Sequence, residues 1–142
     1  MKIHLITIGK PKISYAQAGF SEYLGRLKHY HDVRVTHLAD KQNNASNILQ
    51  AAGNAYKVGL VIDGKQLNSH QLAEFLQKRE LEAREVGFII GGPDGLPAEV
   101  IEACDYQWSF SPLTLPHDLA MVVLAESLYR ASTINAGQPY HR

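Results

Sequence analysis

The chain has 142 residues, a formal net charge of zero and a single cysteine, Cys104. This length is enough for one domain with a sizeable core, and the lone cysteine excludes an intramolecular disulfide. No apolar stretch approaches the ~20 residues of a membrane span, the first strand-like run is too short for a signal peptide, and no Cys/His cluster has zinc spacing. We therefore expect one cytoplasmic domain over residues 1–142, with no metal site and no membrane segment.

The charges are unevenly placed along the chain. Residues 1–57 carry eight Lys and Arg against three acids, whereas residues 89–142 carry two against six. The first segment is therefore at +5 and the last at −4. This asymmetry is compatible with a basic surface patch that contacts a polyanion. It does not establish nucleic-acid binding, since an ordinary solvent-exposed surface gives the same pattern.

Strand-like and helix-like patterns alternate along the chain. In chain order they are a strand at Ile3–Ile8, a helix at Tyr15–Leu27, a strand at Val33–Leu38, a helix near Asn47–Tyr56, a strand at Val58–Ile62, a helix from Ser69 to about Arg84, a strand at Phe88–Ile90, a short helix at Pro97–Cys104, a strand at Tyr106–Phe110 and a helix at His117–Ile134. Ser14 and Ser69 are the predicted N-caps of the first and third helices. Apolar strands that alternate with helices predict an α/β fold, with a mostly parallel sheet flanked by helices.

Three predicted strands are followed by segments suited to a ligand site: Asp63-Gly64, Gly91–Gly95 and Ser111–Pro116. In parallel sheets the ligand crevice lies outside the carboxyl ends of the strands. Because these three segments are expected at the same edge of the sheet, the sequence predicts a pocket there.

The glycine turn Gly91–Gly95 does not match a known phosphate-binding signature. Its order, Gly-Gly-Pro-Asp-Gly, does not align with the dinucleotide fingerprint G-x-G-x-x-G, and no Lys-Ser/Thr pair follows as in a P-loop. Two interpretations stay open: an ordinary tight turn, or a wall where Gly92 lets a flat ligand lie against the backbone.

The loop Ser111–Pro116 is stiff and apolar because two prolines bracket Leu113-Thr114-Leu115. A loop of this kind suits an adenine ring, whose edge bonds the remaining backbone groups, better than a phosphate. A rigid connector between strand and helix is the alternative interpretation.

The last helix is apolar nearly all round over Leu119–Ala125. We therefore expect the face that does not pack on the sheet to be buried as well, most simply against another subunit. Glu126 and Arg130 have the i, i+4 spacing of an ion pair, although Arg130 is also a candidate for the crevice. The chain then reaches Tyr140-His141-Arg142, three side chains that together offer proton transfer and anion contact.

Four segments resemble, in order, the ribosomal large-subunit methyltransferase H family, a small branch of the SPOUT methyltransferases. They are Phe88–Leu96 (FIIGGPDGL), Trp108–His117 (WSFSPLTLPH), Leu124–Ala131 (LAESLYRA) and Pro139–Arg142 (PYHR), and the amino-terminal segments Met1–Gly9 and Gly19–Leu24 (GFSEYL) fit as well. The resemblance therefore covers the chain from one end to the other. The segment near residues 40–47 is shorter than is usual in the family, which places rRNA contacts there in question.

The resemblance implies a SPOUT-type α/β domain with a carboxy-terminal trefoil knot. It implies S-adenosylmethionine as the cofactor, a homodimer, and methylation of N3 of a pseudouridine in 23S rRNA of the assembled ribosome. Carried over by position, the cofactor contacts are Ile62, Gly92, Ser111, Pro112, Leu113, Thr114, Leu115 and Pro116.

For the chemistry, we expect direct methyl transfer to a ring nitrogen that must lose its proton. His141 is the candidate for the proton path, Tyr140 for stacking or hydrogen bonding, and Arg130 and Arg142 for orienting rRNA. Two alternatives stay open: a SPOUT enzyme acting on another RNA or base atom, and a non-catalytic RNA- or nucleotide-binding module.

Overall fold

The computed structural model describes all of residues 1–142 as a parallel β-sheet between two layers of helices. The strands are β1 (Lys2–Ile8), β2 (Asp32–Leu38), β3 (Tyr56–Gln66), β4 (Val86–Ile90) and β5 (Tyr106–Ser109). The helices are α1 (Ser14–Leu27), α2 (Ala45–Ala52), α3 (Ser69–Leu81), α4 (Ala98–Ala103) and α5 (His117–Asn135), with a 3₁₀ turn at Asp40–Gln42. The predicted fold class and the number of major elements are confirmed.

The five strands lie in the order β2-β1-β4-β3-β5, and every pair is parallel. The centre is formed by β1 and β4, whose side chains are almost all buried because helices cover both faces. The strand order brings the turn after β4 and the loop after β5 to one edge of the sheet. The trefoil knot implied by the resemblance stays a prediction.

The sheet separates two hydrophobic cores. On one face, Ile3 and Leu5 of β1 and Phe88 of β4 pack with buried residues of α1, α3 and α5. On the other face, Ile6 and Ile8 pack with residues of α2 and α4. The alternation along β1 explains this division, because successive side chains of a strand point to opposite faces.

Strand β3 is longer than the sequence predicted, so the expected strand end at Asp63-Gly64 is wrong. Both Leu60 and Lys65 pair with Trp108 of β5, and the residues between them bulge out of the ladder. A Cβ at Gly64 would lie 2.8 Å from the backbone carbons of Gln107 and Trp108, so only glycine fits this close approach. The pattern of apolar residues, from which the strand length was predicted, does not indicate a bulge.

Both predicted N-caps are also wrong by one residue. Ser14 is the first residue of α1, and the cap position Ile13 makes no side-chain cap bond. Helix α3 is capped by Asn68, whose side chain accepts from the Gln71 backbone N–H in a capping box. Helix α3 also stops at Leu81, three residues before the predicted end, and Leu81 is 87% exposed.

None of the five helices combines the length and the apolar composition needed to cross a membrane. Helix α5 is central instead, since it packs on both α1 and α3. Its first turn lies at the sheet edge that carries the loops, and its last turn lies at the opposite end. It therefore runs from the loop edge of the sheet towards the opposite edge.

Candidate active site

A cavity of about 550 Å³ opens between the bulge of β3, the glycine turn after β4 and the loop that joins β5 to α5. Its lining includes seven of the eight predicted cofactor contacts, namely Ile62, Gly92, Ser111, Leu113, Thr114, Leu115 and Pro116. Pro112 is exposed and does not line it. The cavity is within the size range of small-molecule sites.

The glycine segment is a tight turn and a cavity wall at once. Gly95 donates its N–H to the Gly92 carbonyl at 3.0 Å and has a φ of 79°, which favours glycine. A Cβ at Gly91 would lie 2.5 Å from the Gly95 carbonyl carbon, and one at Gly92 would lie 3.1 Å from Asn43 Nδ2. Side chains at these positions would therefore push into the turn or its neighbours.

The loop after β5 is held by its own serines. The Ser109 hydroxyl donates to the Ser111 carbonyl at 3.0 Å, and the Leu113 N–H donates to Ser111 Oγ at 2.8 Å. Leu113 is 73% exposed, so this apolar side chain stands at the cavity mouth rather than in a core. The loop is thus preorganised by hydrogen bonds in addition to its prolines.

Among the lining residues that were not predicted contacts, two carry ring nitrogens: His117 and Trp108. His117 begins α5 as predicted, and its Nδ1 donates to the Gly91 carbonyl at 3.1 Å. Its Nε2 and the indole Nε1 of Trp108 are buried and have no hydrogen-bond partner within the protein. The one sequence signal for His117 is its position directly after Leu115-Pro116, whereas Trp108 belongs mainly to the hydrophobic core, at 3% exposure.

The cavity lining contains no Lys, Arg, Asp or Glu side chain. Its polar side chains include the hydroxyls of Ser109, Ser111 and Thr114, so the lining offers hydrogen-bonding groups but no charge to a ligand. A neutral aromatic ring with nitrogen atoms at its edge fits these demands better than a phosphate does.

A second cluster of polar residues lies on the far half of α5, where the chain folds back after that helix. The Tyr140 hydroxyl donates to Glu126 Oε2 at 2.9 Å, and Arg130 donates to the same carboxylate from Nη2 at 2.9 Å. Arg130 also donates from Nη1 to His141 Nδ1 at 3.2 Å. These four residues are called the tail cluster below.

Electrostatics fix the proton positions in the tail cluster. Burial, followed by hydrogen bonds to Tyr23 and Glu126, raises the pKa of Tyr140, so the phenol keeps its proton. The hydrogen bond with Glu126 raises the pKa of Arg130, which stays a cation and a pure donor. His141 Nδ1 must therefore accept in this contact, which leaves the ring proton on Nε2.

Aromatic packing holds the tail cluster against its surroundings. The Tyr140 ring lies edge-on to Tyr129 with a centroid distance of 4.7 Å, and the Arg130 guanidinium lies 4.7 Å from the Tyr140 centroid. The His141 ring meets His70 of α3 at 5.0 Å. Arg142 is exposed and makes no hydrogen bond or ion pair, so the structure does not bring it into the cluster.

The structure does not bring the tail cluster to the cavity within one chain. None of its residues lines the cavity, whereas His117 and Ala120 of the same helix do. With a rise of 1.5 Å per residue, Glu126 and Arg130 lie roughly 14 Å and 20 Å along α5 from His117. The residues predicted to bind the cofactor and those predicted to act on the acceptor therefore lie in two separate places in the single chain.

A family model described as "Predicted SPOUT methyltransferase" matches residues 1–141. The chain is 48% identical to the ribosomal RNA large subunit methyltransferase H of Deinococcus radiodurans, over all of this chain and 99% of the relative. It is 39% identical to the protein of the same name from Stenotrophomonas maltophilia, with the same coverage of both chains.

Solved structures of other methyltransferases share the fold at low sequence identity. The tRNA (m1G37) methyltransferase of Aquifex aeolicus superposes with a TM-score of 0.58 at 14% identity, covering 92% of this chain and 69% of that one. The SpoU methyltransferase AviRb of Streptomyces viridochromogenes, solved with the cofactor AdoMet, gives 0.50 at 15% identity, covering 98% and 59%. At this identity the likeness concerns the fold alone.

Proposed function

The chain belongs to the SPOUT methyltransferase family, and on that premise we propose that it methylates RNA of the large ribosomal subunit with S-adenosylmethionine as the donor. Within that activity we propose N3 of a pseudouridine in 23S rRNA as the acceptor atom. The observation that carries the proposal is the uncharged cavity bounded by the glycine turn and the loop Ser111–Pro116, in a chain 48% identical to a large-subunit rRNA methyltransferase.

The cavity fits the adenosine part of the donor. Its walls are the apolar loop around Leu115 and the bare backbone at Gly92, which suit a flat ring. Hydroxyl groups of the lining, among them those of Ser111 and Thr114, supply donors and acceptors of the kinds that an adenine or ribose edge bonds. When bound, S-adenosylmethionine supplies a methyl group already activated on a sulfonium.

Because the donor is already activated, the residues of this chain contribute mainly positioning and proton handling. The cavity residues hold the donor and exclude water. In the tail cluster, Arg130 provides a fixed positive charge and His141 an imidazole, and Tyr140 and Glu126 hold both in place. We infer that the tail cluster faces the RNA base, while the cavity faces the donor.

The two sites meet if a second copy of the chain packs on α5. Leu119, Val122 and Val123 of this helix are only half-buried in the single chain, although they are apolar. A twofold contact of α5 with its symmetry mate would cover this surface and bring each tail cluster towards the partner's cavity. We therefore infer a homodimer with shared active sites.

A mixed-dimer experiment tests the shared site. One subunit carries Gly92→Leu, which blocks the cavity, and the other lacks Tyr140–Arg142. Each homodimer is expected to be inactive, whereas the mixture regains activity because one of its two composite sites is intact. A mixture that stays inactive after verified subunit exchange contradicts the shared site.

Methylation of ribosomes that lack the modification tests the activity itself. Purified protein, labelled S-adenosylmethionine and such ribosomes are expected to give one methylated nucleoside in 23S rRNA, identified by mass mapping as N3-methylpseudouridine. A product at another atom or in another RNA would support a different SPOUT enzyme. Absence of donor binding in calorimetry would support a non-catalytic module.

A preformed ribosomal surface is the expected substrate. The protein is neutral overall, so it gains little from the general attraction that drives binding to naked RNA. We expect turnover on assembled ribosomes and much weaker turnover on isolated 23S rRNA. Equal rates on both substrates contradict this expectation. A ribosomal substrate also implies a cytoplasmic location.

A further inference from the structure

The segment Gly9–Ile13 joins β1 to α1 and carries two exposed lysines, Lys10 and Lys12. Neither lysine lies within ion-pair distance of a carboxylate. The segment leaves the sheet beside the cavity, because the side chain of Ile8 lies 3.5 Å from the Cβ position of Gly92. Two free positive charges therefore stand close to a cavity whose own lining has none.

Hydrogen bonds fix both ends of this segment. At its start, Gly9 donates its N–H to the Leu38 carbonyl at 2.7 Å and accepts from the Thr7 hydroxyl at 2.8 Å. At its end, the N–H groups of Lys12 and Ile13 both donate to Asp118 Oδ2 at 2.7 Å. A connection held in this way is preorganised rather than free to move.

Asp118 is an unusual residue to find buried. It is 8% exposed and lies in the first turn of α5, next to His117 of the cavity lining. Its carboxylate bonds the backbone of a segment 105 residues away in the chain instead of capping its own helix. The N–H donors of Ile13 and Lys12 lower the pKa of Asp118, so the carboxylate stays ionised at neutral pH.

We propose that Lys10 and Lys12 form a binding site for backbone phosphates of the RNA acceptor, and that Asp118 is the positioning residue that holds them at the cavity rim. This inference rests on the proposed function. An RNA base that enters the site carries its phosphates with it, and the lining has no cation to meet them. Lys10 and Lys12 can bind these phosphates at the cavity mouth. Because their segment is already fixed, binding costs less conformational entropy.

The test measures binding to large ribosomal subunits that lack the modification, over a range of salt concentrations. The double variant Lys10→Ala/Lys12→Ala is compared with Lys28→Ala/Lys78→Ala, which removes two exposed and unpaired lysines elsewhere. The slope of log K against log salt concentration is expected to fall by about 1 to 2 in the first variant only. Affinity for S-adenosylmethionine is expected to stay unchanged in both.

Two outcomes overturn the lysine assignment. One is a salt slope that is the same in the Lys10/Lys12 variant and the control. The other is a loss of donor affinity in the Lys10/Lys12 variant, which would place the lysines on the donor instead of the RNA.

A double-mutant cycle between Asp118 and the two lysines tests the role of Asp118. Asp118→Ala is expected to raise the KM for ribosomal subunits and to speed amide exchange at Lys12 and Ile13, with kcat little changed. Adding Lys10→Ala/Lys12→Ala to it should cause little further loss, because the lysines are already misplaced. If Asp118→Ala does not fold, Asp118→Asn takes its place: it weakens both bonds by removing the charge, so the same effects are expected at smaller size. Fully additive losses overturn the positioning role.

These measurements separate the inference from the proposed function, because subunit binding is read without turnover. If the wild type methylates ribosomes but the Lys10/Lys12 variant has the same salt slope as the wild type, only the phosphate site is overturned. Wild-type protein that binds subunits through the lysines but transfers no methyl group overturns the proposed function and leaves the phosphate site standing.

Discussion

The cavity and the tail cluster lie towards opposite ends of α5 and differ in the charge of their side chains. The cavity has no charged side chain in its lining and relies on backbone, proline and apolar surface. The tail cluster has a carboxylate, a guanidinium, an imidazole and a phenol within direct contact of one another. One end is suited to bind a flat, neutral group and the other to handle charge and protons.

We therefore predict that donor binding and proton chemistry are separated along one helix. The residues of the cavity fit the shape of the bound ligand, so substitutions there are expected to change the affinity for the donor. The residues of the tail cluster form a hydrogen-bonded unit, so changes there are expected to act on rate. Each of the following variants tests this division.

Gly92→Leu is expected to have the largest effect, a roughly 100-fold or greater loss of S-adenosylmethionine affinity in calorimetry, because the new side chain overfills the space beside Asn43 and Ile8. Gly25→Ala is the matched control, since a Cβ at Gly25 meets nothing within 4 Å. Unchanged donor affinity in Gly92→Leu would remove the cavity from the donor site.

His141→Ala is expected to lower the single-turnover methylation rate by about 100-fold while donor affinity stays within error, because it removes the imidazole from the proton path. His70→Ala is the control, since it removes the ring that His141 contacts without removing the imidazole itself. An unchanged rate in His141→Ala excludes the proton role, and a loss of donor affinity breaks the division between the two sites.

Tyr140→Phe is expected to lower the methylation rate only a few-fold and the free energy of unfolding by about 1 kcal/mol. The change removes the hydrogen bond to Glu126 but keeps the ring contacts with Tyr129 and Arg130. Chemical denaturation and single-turnover kinetics measure the two effects. A rate loss as large as that of His141→Ala would assign Tyr140 a direct role in proton transfer.

Acid is expected to have the smallest effect on either site and to act on stability instead, through a gradual loss that involves His31. Burial, and then the positive amino group of Met1, lower the pKa of His31 to about 4, and its ring contacts Ser132 Oγ of α5 at 2.9 Å. The unfolded chain takes up this proton near pH 6.5, so the free energy of unfolding is highest above pH 6.5 and falls as the pH drops towards 4.

Urea unfolding at pH 7.5, 6 and 5 measures this loss. His31→Gln is expected to flatten the pH dependence without abolishing it, because burial also lowers the pKa of His4 and His37. A variant with the same pH dependence as the wild type contradicts the assignment to His31.

The fold and much of the cavity were predictable from the sequence, because both depend on local patterns. Apolar runs predicted the strands, and glycine and proline marked the loops at Gly91–Gly95 and Ser111–Pro116. Errors arose where a distant partner decides the local structure. Strand β3 continues to Gln66 because Lys65 pairs again with Trp108 after the bulge, and Asp118 bonds a segment that its own helix pattern does not reveal.

Sequence patterns were enough to predict the element types, the stiff and apolar loop Ser111–Pro116 and the chemical types at Tyr140 and His141. These follow from residue properties and short-range spacing. Packing, by contrast, is what pairs the tail with Glu126 and Arg130, keeps it away from the cavity in one chain, and bonds Asp118 to the basic segment. The physical reason is that these contacts join residues far apart in the chain or on different elements, and packing brings them together.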